Sequence, residues 1–554
     1  MWEASQFAKH WIPFCKRYKV EPRAPAVYFS TSDSSTNMSH HEEWLSMKIL
    51  YEEMTNRIDT VVMSGQIPEE LQAIHKGFSQ WKPDMSSKKH PPIVQILIDG
   101  KDPSALDNTG NALPTLVYTA REKNPEYYHN FKAGAMNSLI RVSSVMSNSP
   151  VILNVDCDMY SNNSDSIRDA LCFFLDEEKG RDIAFVQFPQ NYNNLTKNDT
   201  YGNTNSVVNE VELCGLDSWG GPLYVGTGCF HRREILCGMK YSKDYKEDWN
   251  RGTERNPCDD IRKLEERAES LATCTYELNT LWGHEVGLIY GIAVEDVVTG
   301  LMIQCRGWKA VYYNPPRKGF LGVGPTTLAQ TILQHKRWSE GNFQIFLSKY
   351  CTLIYGHGKI KLGLQMGYCI YNLWAANSIP TLYYVIVPSL SLLRGISLFP
   401  KMTSPWFIPF SYVMVGKQTC SLIEALLTRE ITVQGVSKMG FTITAKISGE
   451  DALKRYEQEI MEFDASSLTL AIIEFVALLN LACLVCATSN AVMRGWAIVL
   501  EIYFLQILLC GLVVAVNVAI YEGLLLRKDK GSIPWSVTLT TIVVVMFVYL
   551  VSSV

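Results

Sequence analysis

The sequence predicts an α/β domain followed by a C-terminal α-helical transmembrane bundle. In residues 1–360, which carry most of the charge, short apolar runs alternate with amphipathic segments. Long apolar runs dominate residues 361–554. The first part is therefore interpreted as a soluble α/β domain, and the second as a membrane domain.

The α/β prediction depends on the order of the apolar runs. Strands are predicted at 91–99, 113–120, 150–156 and 182–189, and helices at 129–146 and 164–178. Such alternation indicates a mostly parallel sheet covered by helices. Two segments are interpreted as insertions: residues 41–75, with helical apolar spacing, and residues 241–282, a mobile helical excursion or loop.

Composition narrows the functional classes. The chain has 554 residues, with 51 Lys and Arg against 55 Asp and Glu, and this balance gives no indication of a nucleic-acid partner. The 15 cysteines show neither a disulfide framework nor a paired zinc spacing. Thiols in the polar part indicate a reducing compartment, so we expect the α/β domain on the cytosolic side of a membrane.

The apolar half predicts about five spans of the lipid bilayer. They lie near 376–394, 404–427, 467–489, 497–522 and 533–553. Loops 428–466 and 523–532 are rich in Lys and Arg, and the alternate loops are poor in both. Basic loops mark the cytosolic side, so residues 1–360 and both basic loops are predicted to be cytosolic.

Two carboxylates follow the strand predicted at 150–156. Asp156 and Asp158 flank Cys157 in VILNVDCDMYS. Ligands of parallel sheets bind at the carboxyl ends of strands, and Mg²⁺ or Mn²⁺ prefers carboxylate oxygens. The alternative interpretation is that these acids only cap a turn.

A second acidic pair, Glu295 and Asp296, follows the apolar run IYGIAV. Asp296 is a candidate general base, which must sit beside the reacting carbon. It could equally begin a helix as a capping residue, and the two roles are compatible.

Two further motifs carry candidate binding residues. QHKRW would place Gln334 and Trp338 on one helix face with Arg337 beside them, suited to a sugar ring and a diphosphate. The alternative is an ordinary amphipathic helix. FTITAK ends in Lys446 within loop 428–466, where positive-inside anchoring is an equally good explanation.

Together these motifs resemble the processive family 2 glycosyltransferases of the cellulose synthase superfamily. HNFKAGAMN, VILNVDCDMYSNN, FVQFPQ, GPLYVGTGCFHRRE, VEDVVTG, QHKRW and FTITAK follow the order and spacing of that family. The nearest group is the plant cellulose synthase-like proteins of the E subfamily. The resemblance implies a GT-A fold, a Rossmann-like nucleotide-sugar domain held against a transmembrane channel.

The resemblance also implies a role for each motif residue. Lys132 would contact UDP, Asp156 and Asp158 would bind its diphosphate through Mg²⁺ or Mn²⁺, and Asp296, beside Glu295, would be the general base. Thr227, Gly228 and Cys229 would line the acceptor end of the pocket. Gln334, Arg337 and Trp338 would hold the acceptor glycan and the leaving diphosphate. FTITAK would form a gating loop over UDP, with Lys446 near the phosphates.

The function implied by the resemblance is inverting transfer of a hexose from a UDP-sugar, UDP-glucose by default. The product would be a β-linked polysaccharide of the cell wall. The expected location is the Golgi, another endomembrane or the plasma membrane, and homo-oligomer formation stays open.

The chain departs from the family pattern in two places. Val294 stands where the family has Thr before Glu-Asp, and the family's upstream Asp-Asp-Gly motif and two preceding spans are not found in this sequence. The first departure leaves Glu295 and Asp296 in place, whereas the second indicates an N-terminally shortened member, either a truncated or alternative start or a real short form. These departures leave a second hypothesis, a non-catalytic form that keeps the fold and associates with full-length relatives.

Overall fold

The computed structural model describes residues 1–31, 41–70, 85–202, 205–249, 260–412, 450–463, 468–529 and 531–553. The chain divides into two compact units. The first comprises Met1–Gln190, Leu216–Leu321 and Gly358–Lys361, and the second comprises Asn191–Gly215, Gly322–His357 and Leu362–Val554. Residues 191–215 and 322–357, which precede residue 360, thus belong to the second unit.

All strands among the described residues lie in the first unit. They are β1 (Ile93–Ile98), β2 (Leu116–Ala120), β3 (Val151–Asn154), β4 (Tyr160–Ser161), β5 (Ile183–Gln187), β6 (Cys229–Arg232), β7 (Lys309–Tyr312) and β8 (Phe320–Leu321). β1 pairs with β2, and β4 with β8, both antiparallel. The remaining strands form one sheet in the order β3-β6-β5-β7.

This central sheet is mixed, so the prediction of a mostly parallel sheet is wrong. β6 runs antiparallel to both β3 and β5, whereas β5 and β7 are parallel. Strands β3, β5 and β7 therefore share one direction, with β6 inserted between two of them. Because β6 runs the opposite way, it begins at the edge where β3 ends.

The helices are distributed over both units. They are α1 (Trp2–Tyr18), α2 (Pro25–Thr31), α3 (His41–Ser64), α4 (Phe131–Met146), α5 (Ser166–Leu175), α6 (Leu213–Asp217), α7 (Arg233–Leu236), α8 (Ile261–Leu271), α9 (Glu295–Cys305), α10 (Leu328–Leu347), α11 (Thr352–Tyr355), α12 (Leu362–Asn372), α13 (Trp374–Leu393), α14 (Glu450–Glu457), α15 (Leu468–Arg494), α16 (Trp496–Val516), α17 (Val518–Leu525) and α18 (Trp535–Ser553). The described residues also include a 3₁₀ turn (Gly180–Asp182) and a π-helical turn (Val208–Glu212).

The described part of the segment predicted as a mobile excursion, 241–282, is packed. Helix α8 lies against β1, and Glu265 and Glu269 accept hydrogen bonds from the backbone N–H groups of Ile96 (2.9 Å) and Val94 (3.3 Å). These groups lie on the edge of β1 that β2 leaves open. An exposed strand edge invites pairing with another chain, and here two carboxylates occupy it.

The segment predicted to be helical at 41–75 contributes α3. Helix α3 packs against α1 through a cluster of buried apolar side chains that includes Phe7, Trp11, Met47 and Met54. Stacked aromatic rings, Phe7 on Trp11 at 5.7 Å, give this cluster a large apolar area.

Three helices of the second unit, among the residues described, are long and apolar enough to cross a membrane. They are Trp374–Leu393, Leu470–Arg494 and Trp496–Val516, and Trp535–Val551 is a shorter apolar helix. These agree with four of the predicted spans, except that α16 ends at Val516 instead of continuing to residue 522. Most of the predicted span 404–427 lies outside the described residues.

A hydrogen bond between buried polar side chains connects two of these helices, α13 and α15. Ser389 of α13 donates to Asn480 Oδ1 of α15 at 2.6 Å, and Asn480 Nδ2 donates to the Val476 carbonyl at 2.9 Å. Both side chains are buried. Hydrogen bonds between apolar helices are a usual means of association within a bilayer.

Candidate active site

The pair Asp156 and Asp158 lies just beyond β3, at the edge of the central sheet where β6 begins. The Asp156 N–H donates to Thr227 Oγ1 at 3.1 Å, and Thr227 precedes β6 by two residues. The Thr227 hydroxyl donates in turn to Met159 Sδ at 3.0 Å. The buried Thr227 side chain therefore connects the turn that carries Asp156 and Asp158 to the loop that precedes β6.

Lys132 reaches the same edge from the first turn of α4. Its ammonium lies 2.6 Å from Asp156 Oδ1 and donates to the Gly226 carbonyl at 2.9 Å. The chain enters α4 through Asn130 and Phe131, both at positive φ (52° and 43°). Such a conformation is uncommon for residues other than glycine, and it turns the chain sharply into the helix.

Asp296 lies in the first turn of α9 and faces Gly226. Its Oδ1 accepts from the Val297 N–H at 2.8 Å. A Cβ built on Gly226 would lie 2.5 Å from Asp296 Oδ2, and Gly226 has φ +83°. The carboxylate therefore occupies the space that a side chain at residue 226 would need.

The charged residues of this cluster shift one another's pKa values. Burial raises the pKa of Asp296 and the nearby Asp156 adds to this, against the opposing attraction of Lys132 and the Val297 N–H. Burial alone would lower the pKa of Lys132, but Asp156 and Glu295 outweigh it, so the Lys132 pKa is raised. A carboxylate with a raised pKa is a stronger proton acceptor than a free aspartate.

The loop 225–228, which precedes β6 and contains Gly226 and Gly228, is hydrogen-bonded by two side chains that the sequence prediction missed. Gln187 accepts from the Val225 N–H (3.0 Å) and donates to the Thr227 carbonyl (2.8 Å). Asn154, the last residue of β3, donates to the Gly226 carbonyl at 2.7 Å. Gln187 stands in FVQFPQ and Asn154 in VILNVD. A buried polar residue at a strand end is the signal that could have identified both.

Of the residues assigned to the acceptor end, Thr227 and Gly228 lie in this loop, with Gly228 at φ +58°. Cys229 begins β6, and its thiol is fully buried in the core with Phe185 and Tyr224. Burial raises its pKa well above the usual thiol range. The Cys229 side chain therefore contributes to packing, and its acceptor-end role stays a prediction.

A hard divalent cation fits the chemistry of this edge. Asp156 and Asp158 supply carboxylate oxygens, and Mg²⁺ usually takes one or two of these with substrate phosphates completing its shell. Among the described residues there is no cluster of three or more His, Cys, Asp or Glu side chains suited to a metal. The donor set therefore suits a cation that arrives with, or is completed by, phosphate oxygens.

A family model described as "Cellulose synthase" matches residues 1–270 and 250–429. The chain belongs to the cellulose synthase family. It is 58% identical to "Cellulose synthase-like protein E1" of Oryza sativa subsp. japonica, covering 100% of this chain and 79% of that protein. It is 56% identical to "Cellulose synthase-like protein E2" of the same rice, covering 98% and 76%. These matches confirm the E-subfamily resemblance.

A more distant relative is "Cellulose synthase A catalytic subunit 1 [UDP-forming]" of Arabidopsis thaliana, 34% identical over 73% of this chain and 45% of that protein. Val294, where the chain departs from the family pattern, lies at the start of helix α9. Val294 is the N-cap of α9 and makes no side-chain cap hydrogen bond. Thr299 instead stabilises the turn, donating to the Glu295 carbonyl at 2.5 Å and accepting from the Ile289 N–H at 3.1 Å.

The family motif QHKRW lies in the second unit, on helix α10. Gln334 is buried, whereas Arg337 and Trp338 are half-buried. The Trp338 ring lies 5.0 Å from the ring of His335. The helical prediction for this motif is confirmed, and its binding role stays a prediction. Lys446 and the rest of FTITAK lie outside the described residues.

Proposed function

We propose that this chain is a membrane-bound inverting glycosyltransferase that transfers a hexose from a UDP-sugar to a growing β-linked cell-wall polysaccharide. The observation that carries the proposal is the convergence of three residues near Gly226: Lys132 donates to its carbonyl, Asp156 pairs with Lys132, and Asp296 lies where a Cβ on Gly226 would be. These residues come from α4, the end of β3 and the start of α9. Membership of the cellulose synthase family supports the reaction class, and UDP is proposed because the printed names of more distant relatives include "UDP-forming".

The donor would bind with its diphosphate beside Lys132 and Asp156. The Lys132 ammonium supplies positive charge where the leaving diphosphate gains negative charge. Asp156 and Asp158 would hold Mg²⁺ or Mn²⁺, which when bound supplies Lewis-acid stabilisation of the leaving group. The excess of carboxylates over cations at this edge favours a divalent cation.

Asp296 would accept the proton of the acceptor hydroxyl. As that O–H bond breaks, the hydroxyl oxygen forms a bond to C1 of the hexose, and the bond from C1 to the diphosphate oxygen breaks, with its electron pair leaving on UDP. Attack from the face opposite UDP inverts C1, so an α-linked donor gives a β-glycoside. Glucose is the proposed hexose by family likeness.

The second unit supplies the remaining roles in this proposal. Gln334, Arg337 and Trp338 would hold the acceptor glycan and the leaving diphosphate, and Lys446 would approach the phosphates from the FTITAK loop. The apolar helices would carry the chain in a Golgi, other endomembrane or plasma membrane, with the first unit in the cytosol. The non-catalytic alternative is not favoured by any observed feature of the carboxylate cluster.

The test is turnover by the purified full chain in lipid nanodiscs. A panel of UDP-glucose, UDP-mannose, UDP-xylose and UDP-glucuronic acid is supplied with Mg²⁺ or Mn²⁺, and released UDP and product linkage are measured. We expect UDP release with one hexose donor, a β-linked product, and loss of both with EDTA. No turnover with any donor by a chain that remains folded would overturn the proposal.

A further inference from the structure

A cavity of about 470 Å³ lies in the first unit on the side of α4 away from Lys132. Gly134, Ser138 and Arg141 line it, and their spacing places them on one helix face. Lys132 lies two residues before Gly134, about 200° away around the helix. The cavity is therefore separate from the candidate catalytic cluster.

Arg121 brings a guanidinium to this cavity, and burial lowers its pKa against the attraction of Tyr290 and Glu277. Its guanidinium donates to the His129 carbonyl at 2.7 Å and to the Phe131 carbonyl at 3.0 Å. Within the described ranges it forms no ion pair with a carboxylate. Carbonyl groups satisfy part of its fork of N–H donors without neutralising its charge.

Ser138 adds a buried hydroxyl that makes no hydrogen bond within the described structure. The residue is 2% exposed, and its Oγ has no hydrogen-bond partner among the described residues. A buried polar atom left unsatisfied destabilises the fold, so native proteins usually supply a partner. A ligand in the cavity that Ser138 lines would provide one.

Arg141 and two carboxylates, Glu122 and Glu277, also line the cavity. Arg141 is ion-paired with Glu277, and Glu277 also accepts from the Tyr290 hydroxyl at 2.8 Å. Glu122 accepts from the Cys274 N–H at 2.7 Å. Arg121 is thus the arginine of this cavity that forms no ion pair with a carboxylate within the described ranges, and the Ser138 hydroxyl lines the same cavity.

We propose that this cavity is a second ligand site, which binds the phosphate or carboxylate group of a small metabolite between Arg121 and Ser138. The aromatic rings of Tyr127, Tyr290 and Trp282 line the remainder and give room for an organic body of sugar size. Guanidinium and hydroxyl donors are the groups that recognise such oxyanions.

An occupant would also join two parts of the unit. The cavity lies between α4 and the segment 272–290, which leads toward Asp296. Asn137, next to Ser138, already ties them by donating to the Leu288 carbonyl (2.9 Å) and accepting from its N–H (2.7 Å). A ligand that bridges the same parts stabilises the native state and raises its unfolding temperature.

The test uses the full chain in detergent with EDTA, titrated calorimetrically with inorganic phosphate, glucuronate or uncharged glucose. A Lys132→Met background removes anion binding at the catalytic edge. We expect saturable binding of phosphate and glucuronate, none of glucose, and a rise in unfolding temperature. Arg121→Gln and Ser138→Ala should each weaken the affinity about tenfold or more.

Arg168→Gln is the matched control, because Arg168 is an exposed arginine on α5. It should bind phosphate as the Lys132→Met background does. Ser138→Ala changes shape least, so it decides the result if Arg121→Gln does not fold. The proposal is overturned if the affinity is unchanged by Ser138→Ala, if Lys132→Met abolishes binding, or if glucose binds as tightly as phosphate.

Discussion

Two cations of the first unit, Lys132 and Arg232, are held in opposite ways. Arg232 is 1% exposed, pairs with Glu247 at 2.7 Å and donates to the Ile183 and Gly180 carbonyls at 2.8 and 2.7 Å. The ring of Phe174 lies 5.0 Å from its guanidinium carbon. Its charge and its donors are both satisfied, as a structural ion pair requires.

Lys132 is a third exposed and meets more negative charge than it can neutralise. Asp156, Glu295 and Asp296 all act on its pKa. The difference distinguishes a structural site from a candidate functional site within the same unit. At Arg232, an enclosed ion pair with balanced charges stabilises the fold. A partly open cluster with excess carboxylate leaves room for further positive charge and a substrate.

The sharpest test of this contrast is Asp296→Asn. The amide cannot accept the acceptor proton, so we expect kcat to fall roughly 10²–10⁴-fold. The unfolding temperature should not fall, because the amide removes a buried charge. UDP release by the purified variant measures kcat. Asp165→Asn, an exposed acid at the start of α5, is the control and should keep full activity. Full activity in Asp296→Asn would contradict the base assignment.

The opposite side of the contrast is tested by Arg232→Met. Removing the guanidinium leaves Glu247 buried without its cation, which costs about 3–5 kcal/mol of stability. We expect a large drop in unfolding temperature, with kcat retained by the protein that remains folded. Lys309→Met, which removes an exposed ion pair with Asp182, should cost under about 1 kcal/mol. Equal losses in the two variants would refute the structural role.

Gly226→Ala perturbs the catalytic cluster without removing a charge. The new Cβ would meet Asp296 Oδ2 at 2.5 Å, so we expect the carboxylate to shift and kcat to fall about tenfold or more. Gly110→Ala is a matched control. Gly110 has nearly the same backbone angle as Gly226 (φ +82° against +83°), so the backbone strain of the substitution is similar, but no atom lies within 4 Å of its added Cβ. A similar loss of activity in both would show that backbone strain, not the contact with Asp296, is responsible.

The smallest effect concerns pH. The pKa of Asp296 is raised, mainly by burial, so the acid limb of kcat/KM should lie above the usual aspartate range. Lys132→Met removes an attraction that lowers this pKa and should move the limb to higher pH, with Lys309→Met unchanged. The linked stability has the same sign: the contribution of Asp296 is present at low pH and is lost as pH rises through its folded pKa. An unmoved limb would contradict the coupling.

Apolar runs locate β1, β2, β3 and β5 well, because each is a short buried stretch bounded by turn residues. β6 was not predicted, since two of its four residues are His231 and Arg232, and only the carbonyls and Glu247 of the folded unit make Arg232 tolerable there. That missed strand is why the sheet prediction was wrong. Parallel order among β3, β5 and β7 persists around it.

The candidate site shows the same limit. Lys132, Asp156 and Asp296 could be predicted from motifs, since each follows or begins a regular element. The role of Gly226 could not, because its contact with Asp296 joins residues far apart in the chain. The acceptor-end role of Cys229 stays a prediction. All four residues of β6 are buried, so alternation along the strand does not show which of its side chains could reach a ligand.

The insertion of an antiparallel strand beside β3 has a consequence for folding. The groups that meet at that edge are separated by 24, 70 and 70 residues in sequence, from Lys132 to Asp156, Gly226 and Asp296 in turn. Contacts of such long range form late and together, because each requires a large loop to close. No isolated hairpin or fragment can present the cluster, so the nucleotide affinity proposed for it would be a cooperative property of the completed unit. A bound nucleotide would in turn act as a pharmacological chaperone for it, by mass action on the native state.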